Sequence, residues 1–576
     1  MTSSSRKASA RIAARAACVT LLAVLLAGFA RIQEAPPPTA PSTPPATPPA
    51  TPPGDDSAPA VPQEGGTPSP TGGTETAPPP AAPTEGGART EGGVQTAPPT
   101  APAPAFSFDQ LRERAHELSK HDYVPQTDED LPEWLAKLDY DGYQRLRYRP
   151  ETTLWSGDEL PFRVKFMHRG YLFRHRVGIH VLEGGEVREL RFNAAQFDYG
   201  ENPSPVPDDL GYAGFALLGR FGDSPQWDEL ISFLGASYFR PLGSGQAYGA
   251  SARGLAIDTL TPQGEEFPEF VEFWIERPAA DARQAVLYAL LDSPGLAGAY
   301  QFTLTPGAET VVDVVACLHP RHPVGKLCVA PLTTMFQFGE DGLHRAPDYR
   351  PEVHDSDGLL LDDGHGQWLW RPLRNPEHTH RISRFELTDP TGFGLLQRDR
   401  DFRSYQDLQA RFEARPSYWV APHGAWGKGA VELVEIPTPA EWNDNIDAYW
   451  VPEQPLVAGE ERRLEYSLTA SLQSPARPPL ARTFGVRVGP GKLGERYVVD
   501  FTGPGLQEEP GTLHAEVVAS AGEIHDLVLI RNEPEAGQRC TFQFATGGAE
   551  SAELRVRLLR GEQPVSETLV LPWVKP

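Results

Sequence analysis

The sequence predicts an all-β protein: a large N-terminal β-sandwich with a few helices, followed by a smaller immunoglobulin-like β-sandwich. Three observations predict it. From about residue 150 the apolar residues come in short alternating runs separated by Gly, Pro or Asp, the signature of strands joined by turns. Helical spacing is confined to residues 106–148 and to "SYQDLQARFEARP". The chain has 576 residues, too many for one ordinary core, which calls for at least two domains.

In chain order, residues 1–30 read as targeting. Arg6, Lys7, Arg11 and Arg15 precede the apolar run "ACVTLLAVLLAGFA", short for a membrane span, and Gly28-Phe29-Ala30 offers a small-x-small cleavage site. An export signal is expected, with an uncleaved membrane anchor as the alternative. Cys18 lies at the start of the apolar run rather than after it, which argues against a lipoprotein anchor. Residues 31–105 form a Pro/Thr/Ala/Gly-rich spacer with 22 prolines between Ala35 and Ala105. Having almost no large apolar side chains, it cannot offset the entropy of ordering, and a flexible, partly polyproline segment is expected.

Residues 106–455 are expected to form the large domain. It opens with a helix in "FSFDQLRERAHELSK", where Leu111, Ala115 and Leu118 share a face and Ser107 and Asp109 are capping candidates. Strands follow at "FRVKFMH", "GIHVLEG", "VEFWIERP", "AVLYALLDS", "AYQFTLTPG" and "TVVDVVACL". A second helix is expected over "SYQDLQARFEARP", stopped at Pro416. Turn residues cluster at 451–463, and residues 463–576 carry the short strands of an immunoglobulin-like sandwich, such as "RLEYSLTASL", "YVVDF" and "RCTFQFATG".

Charge narrows the ligand. Of 52 basic and 77 acidic residues, six and seven lie in residues 1–105, leaving 46 against 70 and a net of −24 for the rest. Such a body repels nucleic acid and anionic membranes, whereas an uncharged carbohydrate is compatible with it. Cys317 and Cys328 flank "LHPRHPVGKL", and the spacing leaves both a disulfide and two free thiols open.

Walker loops, dinucleotide fingerprints, HExxH and serine elbows are absent from the sequence. "GSGQAYG" (243–249) lacks a following helical pattern and reads as a tight turn rather than a phosphate cradle. The richest stretch is "YRPEVHDSDGLLLDDGHGQWLWRPL" (349–373). If "EVHDSDG" is extended, Asp355 and Asp357 share one face and His354 takes the other. Glu352, Asp355 and Asp357 would crowd one another and raise a carboxyl pKa, as a general acid for glycoside cleavage needs. Trp368 and Trp370, two apart on a strand, would present indoles to a sugar. The plainer reading makes Asp357-Gly358 a turn, His354 structural and both tryptophans core. His354, Asp355, Asp357, Asp362, Asp363 and His365 also form a His/Asp-rich patch, but its spacing fits no standard zinc or calcium loop, so no metal and no cofactor are assigned. A second carboxylate could come from Asp258, Glu265 or Glu266 at a strand end and its loop. Tyr418, Trp419, Trp426, Trp442, Tyr449 and Trp450 gather in residues 417–452, as sugar platforms or as core.

Long segments in order give a resemblance: "LPFRVKFMHRGYLF", "FLGASYFRPLGSGQAYGASARGLAIDT", "EEFPEFVEFWIERP", "YALLDSPGLAGAY", "RPEVHDSDGLL", "WLWRPLRNP" and "WGKGAVELVEIPT". From about residue 106 to 455, and more loosely beyond, the chain resembles the periplasmic glucans biosynthesis protein family of the OpgG/OpgD (MdoG) type. The resemblance implies a periplasmic protein whose larger sandwich is galactose-mutarotase-like and carries a long cleft. It implies a ligand, β-1,2-linked glucan with β-1,6 branches allowed, and a membrane glucan synthase as a partner. It also implies endo-acting, inverting β-1,2-glucanase chemistry with Asp355 as general acid, Asp258 on the base side and Glu352 in support. Tyr238, Arg253, His354, Asp357, Trp368, Trp370, Trp419 and Trp426 would then contact substrate. The alternatives are a non-catalytic factor that holds nascent glucan, and, more remotely, a transglycosylase. The Pro-rich spacer departs from the family's usual pattern.

Overall fold

The computed structural model describes residues 106–202, 206–222, 224–340, 347–473, 478–507 and 512–575. The expected signal and spacer lie outside them. Strands dominate, and the all-β expectation holds. A ten-stranded sheet runs from Phe162–His168 through Tyr212–Gly219, Asp228–Leu234, Tyr238–Pro241 and Ser251–Arg253. It continues to Leu327–Thr334, Ile446–Pro452, Lys428–Glu435 and Arg381–Thr388, while Leu255–Ile257 pairs beside Leu327–Thr334. A fifteen-stranded sheet faces it across the main core. The aromatic rings mesh there: Phe215 and Phe233 of the first sheet meet Phe273 of the second, with centroids 5.0 Å apart in both pairs. Each such ring fully buried stabilises by about 1.5–3 kcal/mol. Strands Leu296–Thr305 and Thr310–Pro320 alternate buried and half-buried residues along most of their length, the period-2 pattern read from the sequence.

The helix Phe108–Ser119 forms where its cap predicts. The Ser107 hydroxyl accepts from Gln110 N and the Gln110 side chain accepts from Ser107 N, a capping box that satisfies two otherwise orphan donors. Leu111 and Ala115 are buried against Trp274 and Leu290. The second expected helix is broken: only Phe402–Tyr405 is α-helical and Phe412–Ala414 is a 3-10 turn. Between them the Asp407 carboxylate accepts Gln409 N at 2.9 Å and Ala410 N at 2.8 Å, a side-chain turn that outcompetes the helix, and Gln406 and Arg411 take positive φ. Leu408, an apolar residue within the expected helix, is 82% exposed.

The fifteen-stranded sheet continues into the C-terminal region. Trp368–Pro372 pairs in parallel with Thr568–Val574, which leads to Ser551–Arg560 and Leu513–Ala519. A four-stranded sheet, Arg482–Pro490, Glu495–Thr502, Gly537–Ala545 and Glu523–Asn532, closes a second core over these strands. Arg462–Ser471, expected to open the C-terminal domain, lies between Thr310–Pro320 and Ser417–Pro422 in the large sheet. We therefore propose that the domain change falls after Ser471. Cys317 and Cys328 are free and buried, on strands of different sheets.

Candidate functional site

The strand Leu327–Thr334 and its continuation through Met335 to Phe336–Phe338 form the spine of the candidate site. Successive carbonyls of an extended chain point to opposite sides. Thr334 O accepts Asn445 N at 3.2 Å, and Met335 O accepts Asp355 N at 2.9 Å. Asp355 and the loop ending in Asp444-Asn445 are thereby clamped on either flank. The Asn445 side chain tightens its loop: Oδ1 accepts Phe336 N at 2.8 Å and Nδ2 donates to Ile436 O at 3.0 Å. Arg350 Nη1 ties in Glu441 at 2.6 Å and Asp407 at 2.9 Å.

Asp355 is 3% exposed and pairs with Arg415 Nη1. Burial pushes its carboxyl above the usual range, against the opposing pull of Arg415 and His354. Asp444, also buried, is pushed up to about 8, first by burial and then by the charge of Asp355, with Arg240 opposing. Next along the same interior lie Asp447, Tyr238, Arg253 and Glu265. Asp447 Oδ1 accepts Thr333 Oγ1 at 2.7 Å, and Glu265 Oε1 accepts Arg253 Nη1 at 2.8 Å. Burial, then Glu265, raises the Asp447 carboxyl, with Arg253 opposing. Tyr238 and Arg253 are register partners, with the guanidinium 5.2 Å from the ring centroid. Arg253 Nε and Nη2 have no hydrogen-bond partner among the described residues, although the residue is 1% exposed.

His354 faces away from this group. The strand ends at His354 and the chain bends through Asp355–Asp357, so the alternation expected for "EVHDSDG" fails: Asp357 comes to the side of His354, and Asp355 does not join it. His354 Nε2 bonds Glu352 Oε2 at 2.9 Å and lies 3.6 Å from Asp357 Oδ1, while Nδ1 donates to Gln397 Oε1 at 2.9 Å. Burial alone would depress this imidazole, but Asp357 and Glu352 outweigh it and raise the pKa to about 9. Burial raises Glu352, against the hydrogen bond and charge of His354. Ligand atoms of Glu352, His354 and Asp357 lie within 4.8 Å of one another, the one such grouping among the described residues. The imidazolium already supplies a cation there. Asp362 and Asp363 accept backbone N–H groups of their own hairpin turn, from Gly364 at 3.0 Å and His365 at 2.8 Å.

Two expectations are corrected. Asp258 does not face Asp355. Its N–H donates to Lys326 O at 3.0 Å and its Oδ1 accepts Lys326 N at 3.3 Å, at the opposite end of the spine from Met335. Nine residues at about 3.3 Å each put the two anchor points roughly 25–30 Å apart, allowing for the bulge between Val329 and Leu332. An inverting pair needs about 6.5–9.5 Å. The tryptophans are also spent elsewhere. Trp370 and Trp419 are buried in the second core, and half-buried Trp368 stacks on Trp419 at 6.0 Å at its margin. The Gly358 position shows why: an added Cβ would sit 2.4 Å from the Trp370 ring, so this glycine serves packing rather than a turn. Trp426 is half-buried on the main core and donates to Glu465 O at 3.3 Å. The exposed indole near the acids is Trp442, 56% exposed and two residues from Asp444. Sequence reasoning counted Trp442 among the aromatics and overlooked Asp444, although "EWNDNID" holds acids beside an indole as the opening stretch does.

The sequence model of the family described as "Periplasmic glucan biosynthesis protein, MdoG" matches residues 106–573. The chain is 44% identical over 479 residues to "Glucans biosynthesis protein G" of Rhodopseudomonas palustris (strain BisA53), covering 82% of this chain and 95% of that one. Relatives of the same name in Ralstonia nicotianae and Vibrio cholerae are 44% and 42% identical, over 81% of this chain and 95% and 87% of theirs. The resemblance carried by the "RPEVHDSDGLL" and "GLAIDT" segments therefore extends through both cores, and the chain belongs to the periplasmic glucan biosynthesis protein family, MdoG.

Proposed function

We propose that this protein acts in the periplasm on osmoregulated periplasmic glucan, as an endo-acting, inverting β-1,2-glucan hydrolase with Asp355 as the general acid. The observation that carries the reading is the burial of Asp355 beside a second buried acid, Asp444, in an interior lined by Arg240, Arg253, Arg415 and Tyr238. A carboxyl that resists ionisation there can protonate a glycosidic oxygen near neutral pH. The unfilled donors of Arg253 suit a ligand made of hydroxyl groups, because a buried donor without a partner costs about 1–3 kcal/mol until one arrives. Such a ligand is uncharged, in keeping with the acidic body. No resident metal or cofactor enters this chemistry. Glu352 supports the acid indirectly, through His354. Residues 106 to about 471 make up the glucan-processing domain in this reading, and export relies on residues 1–30.

A second reading has its own observation. The Asp355–Arg415 pair holds the acid in an ion pair at 3% exposure, as a glucan-binding factor that presents chains to a membrane synthase could tolerate. One experiment separates them. Wild type and Asp355→Asn are incubated with linear β-1,2-glucan, and oligosaccharides and their anomeric form are followed. The hydrolase reading expects short products of inverted anomer and a loss of about 10²–10⁴-fold in the variant. Full activity in Asp355→Asn removes the acid assignment. Binding without products in wild type selects the second reading.

A further inference from the structure

We propose that Arg163 and Arg220, both set against the indole of Trp227, form a binding site for an oxyanion, a carboxylate or a phosphate, at one end of the sheet face that carries Arg240. The site stands apart from the catalytic chemistry, and only the question of which anion reaches it rests on the glucan reading.

Placement follows from register. In the ten-stranded sheet Lys165 pairs with Ala216, Ala216 with Ser232 and Ser232 with Arg240, so these side chains share one face. Their alternates Val164, Leu217 and Phe239 lie in the main core on the other face. Farther along the strands Arg163 pairs with Leu218, and Leu218 with Glu229. A bulge takes up the extra residue Leu230, so Glu229 and Ser232 keep the same side although they are three apart. Trp227, two before Glu229, and Arg220, two after Leu218, therefore reach the face of Arg163. The Arg163 guanidinium lies 4.1 Å and the Arg220 guanidinium 4.6 Å from the indole centroid. Arg163 Nη2 donates to Ser156 O at 3.0 Å, which holds the side chain in place. The five steps from Trp227 to Ser232 put the pair roughly 13–16 Å from the Arg240 row.

Charge selects the ligand. Lys165, on the same face, pairs with Glu229, which also accepts the Tyr248 hydroxyl. Arg163 and Arg220 have no carboxylate within ion-pair reach among the described residues. Asp228, next to Trp227, pairs with Gly219 and falls on the opposite parity. Burial, then the charge of Arg220, lowers the Arg163 pKa, and no acid opposes them. Arg163 Nε is enclosed without a hydrogen-bond partner among the described residues. Carboxylates are not scarce in a chain with 77 acidic side chains, so the lack of one here belongs to the place. Stacking on an aromatic face orients a guanidinium and leaves its in-plane N–H groups available. Two such forks match the paired oxygens of a carboxylate or a phosphate, and an anion between them removes their mutual repulsion. An uncharged glucose unit does not. The same chemistry has two sources: a free anion, or an acidic group carried by a saccharide chain that lies along this face toward Arg240.

The test uses the full chain with inorganic phosphate, linear β-1,2-glucan, and the same glucan bearing chemically added carboxymethyl groups. The variants are Arg220→Gln, Arg163→Gln and Arg163→Lys. Arg220 is exposed, so Arg220→Gln decides the matter if an Arg163 variant melts early. Calorimetry on wild type should show phosphate binding that weakens as salt rises, and carboxymethyl glucan bound about tenfold more tightly than plain glucan. Arg220→Gln and Arg163→Gln should each lose about tenfold in phosphate affinity and erase the preference between glucans, with plain glucan bound as before. Arg163→Lys should keep the charge and part of the affinity. Arginine-dependent phosphate binding without a preference between the glucans assigns the site to a free anion and upholds it. If plain glucan fails to bind while phosphate binds and is lost in Arg220→Gln, the glucan reading falls and the oxyanion site stands. Phosphate affinity within twofold of wild type in Arg220→Gln, or no binding of either anion to wild type, overturns the proposal.

Discussion

Removal of the Glu567 carboxylate should destabilise the protein far more than removal of both members of its ion pair. Glu567 is wholly buried, and its two oxygens take Arg398 Nη1 at 2.7 Å and Nη2 at 2.9 Å. Oε1 also accepts Thr483 N at 2.8 Å, and the Arg398 guanidinium lies 3.5 Å from the Trp370 ring centroid. Glu567→Ala leaves a cation in the second core with Thr483 O and an indole as its partners. Breaking a buried pair on one side costs about 3–5 kcal/mol. Roughly 450 described residues at about 2.1 cal/mol/K each give an unfolding entropy near 1 kcal/mol/K, so Tm should fall by about 3–5 °C if unfolding is one transition. Arg398→Met with Glu567→Leu strands no charge and should recover most of that loss. Urea unfolding followed by tryptophan fluorescence, with calorimetry, measures Glu567→Ala and, as a cycle, Arg398→Met, Glu567→Leu and the double variant. A cost below about 1 kcal/mol for Glu567→Ala, or a double variant as unstable as the sum of the singles, would refute the reasoning.

Three further outcomes follow from the same geometry. Trp442→Ala should weaken glucan binding about threefold to tenfold, the worth of one stacking face, and leave Tm unchanged, as titration with linear β-1,2-glucan will report. Gly249→Ala puts a Cβ 2.8 Å from Arg415 Cβ; it should cost about 1–3 kcal/mol in thermal melts and lower any glucanase activity by displacing Arg415 from Asp355. His354 has its pKa raised from 6.5 to about 9, so its contribution to stability is fully present below about pH 6.5 and is lost as pH rises through 9. Urea midpoints of wild type and His354→Gln should accordingly converge between pH 6.5 and 9.5, and a constant gap across that range would show that His354 does not titrate there.

The fold was legible wherever period-2 alternation met a turn residue, and at Ser107, whose cap is a local event. It was less legible where a side chain competes with backbone, as at Asp407, because helical spacing in "SYQDLQARFEARP" does not reveal that a carboxylate will claim the N–H groups. The site was half legible. Crowding of acids around Asp355 is visible in seven residues of sequence. Which acid faces which depends on the bend after His354 and on a strand about 110 positions upstream of Asn445, and neither has a local signature. Trp370 shows the same limit: its place two residues from Trp368 is readable, but the sheet that covers it comes from residues 482–545. Asp258 was placed by motif, and a motif carries no distance.

The parallel ladder between Trp368–Pro372 and Thr568–Val574 has a consequence for how the chain is made. Thr568 emerges 196 positions after Pro372 (568 − 372), and the four-stranded sheet that covers the face holding Leu360, Trp370, Leu396 and Trp419 is complete only at Ala545, 173 positions after Pro372 (545 − 372). A nascent chain therefore carries a greasy, sticky half-sheet through roughly 170 residues of elongation. Holdase protection during that window, rather than any property of the finished molecule, should set the yield of this protein when it is overproduced.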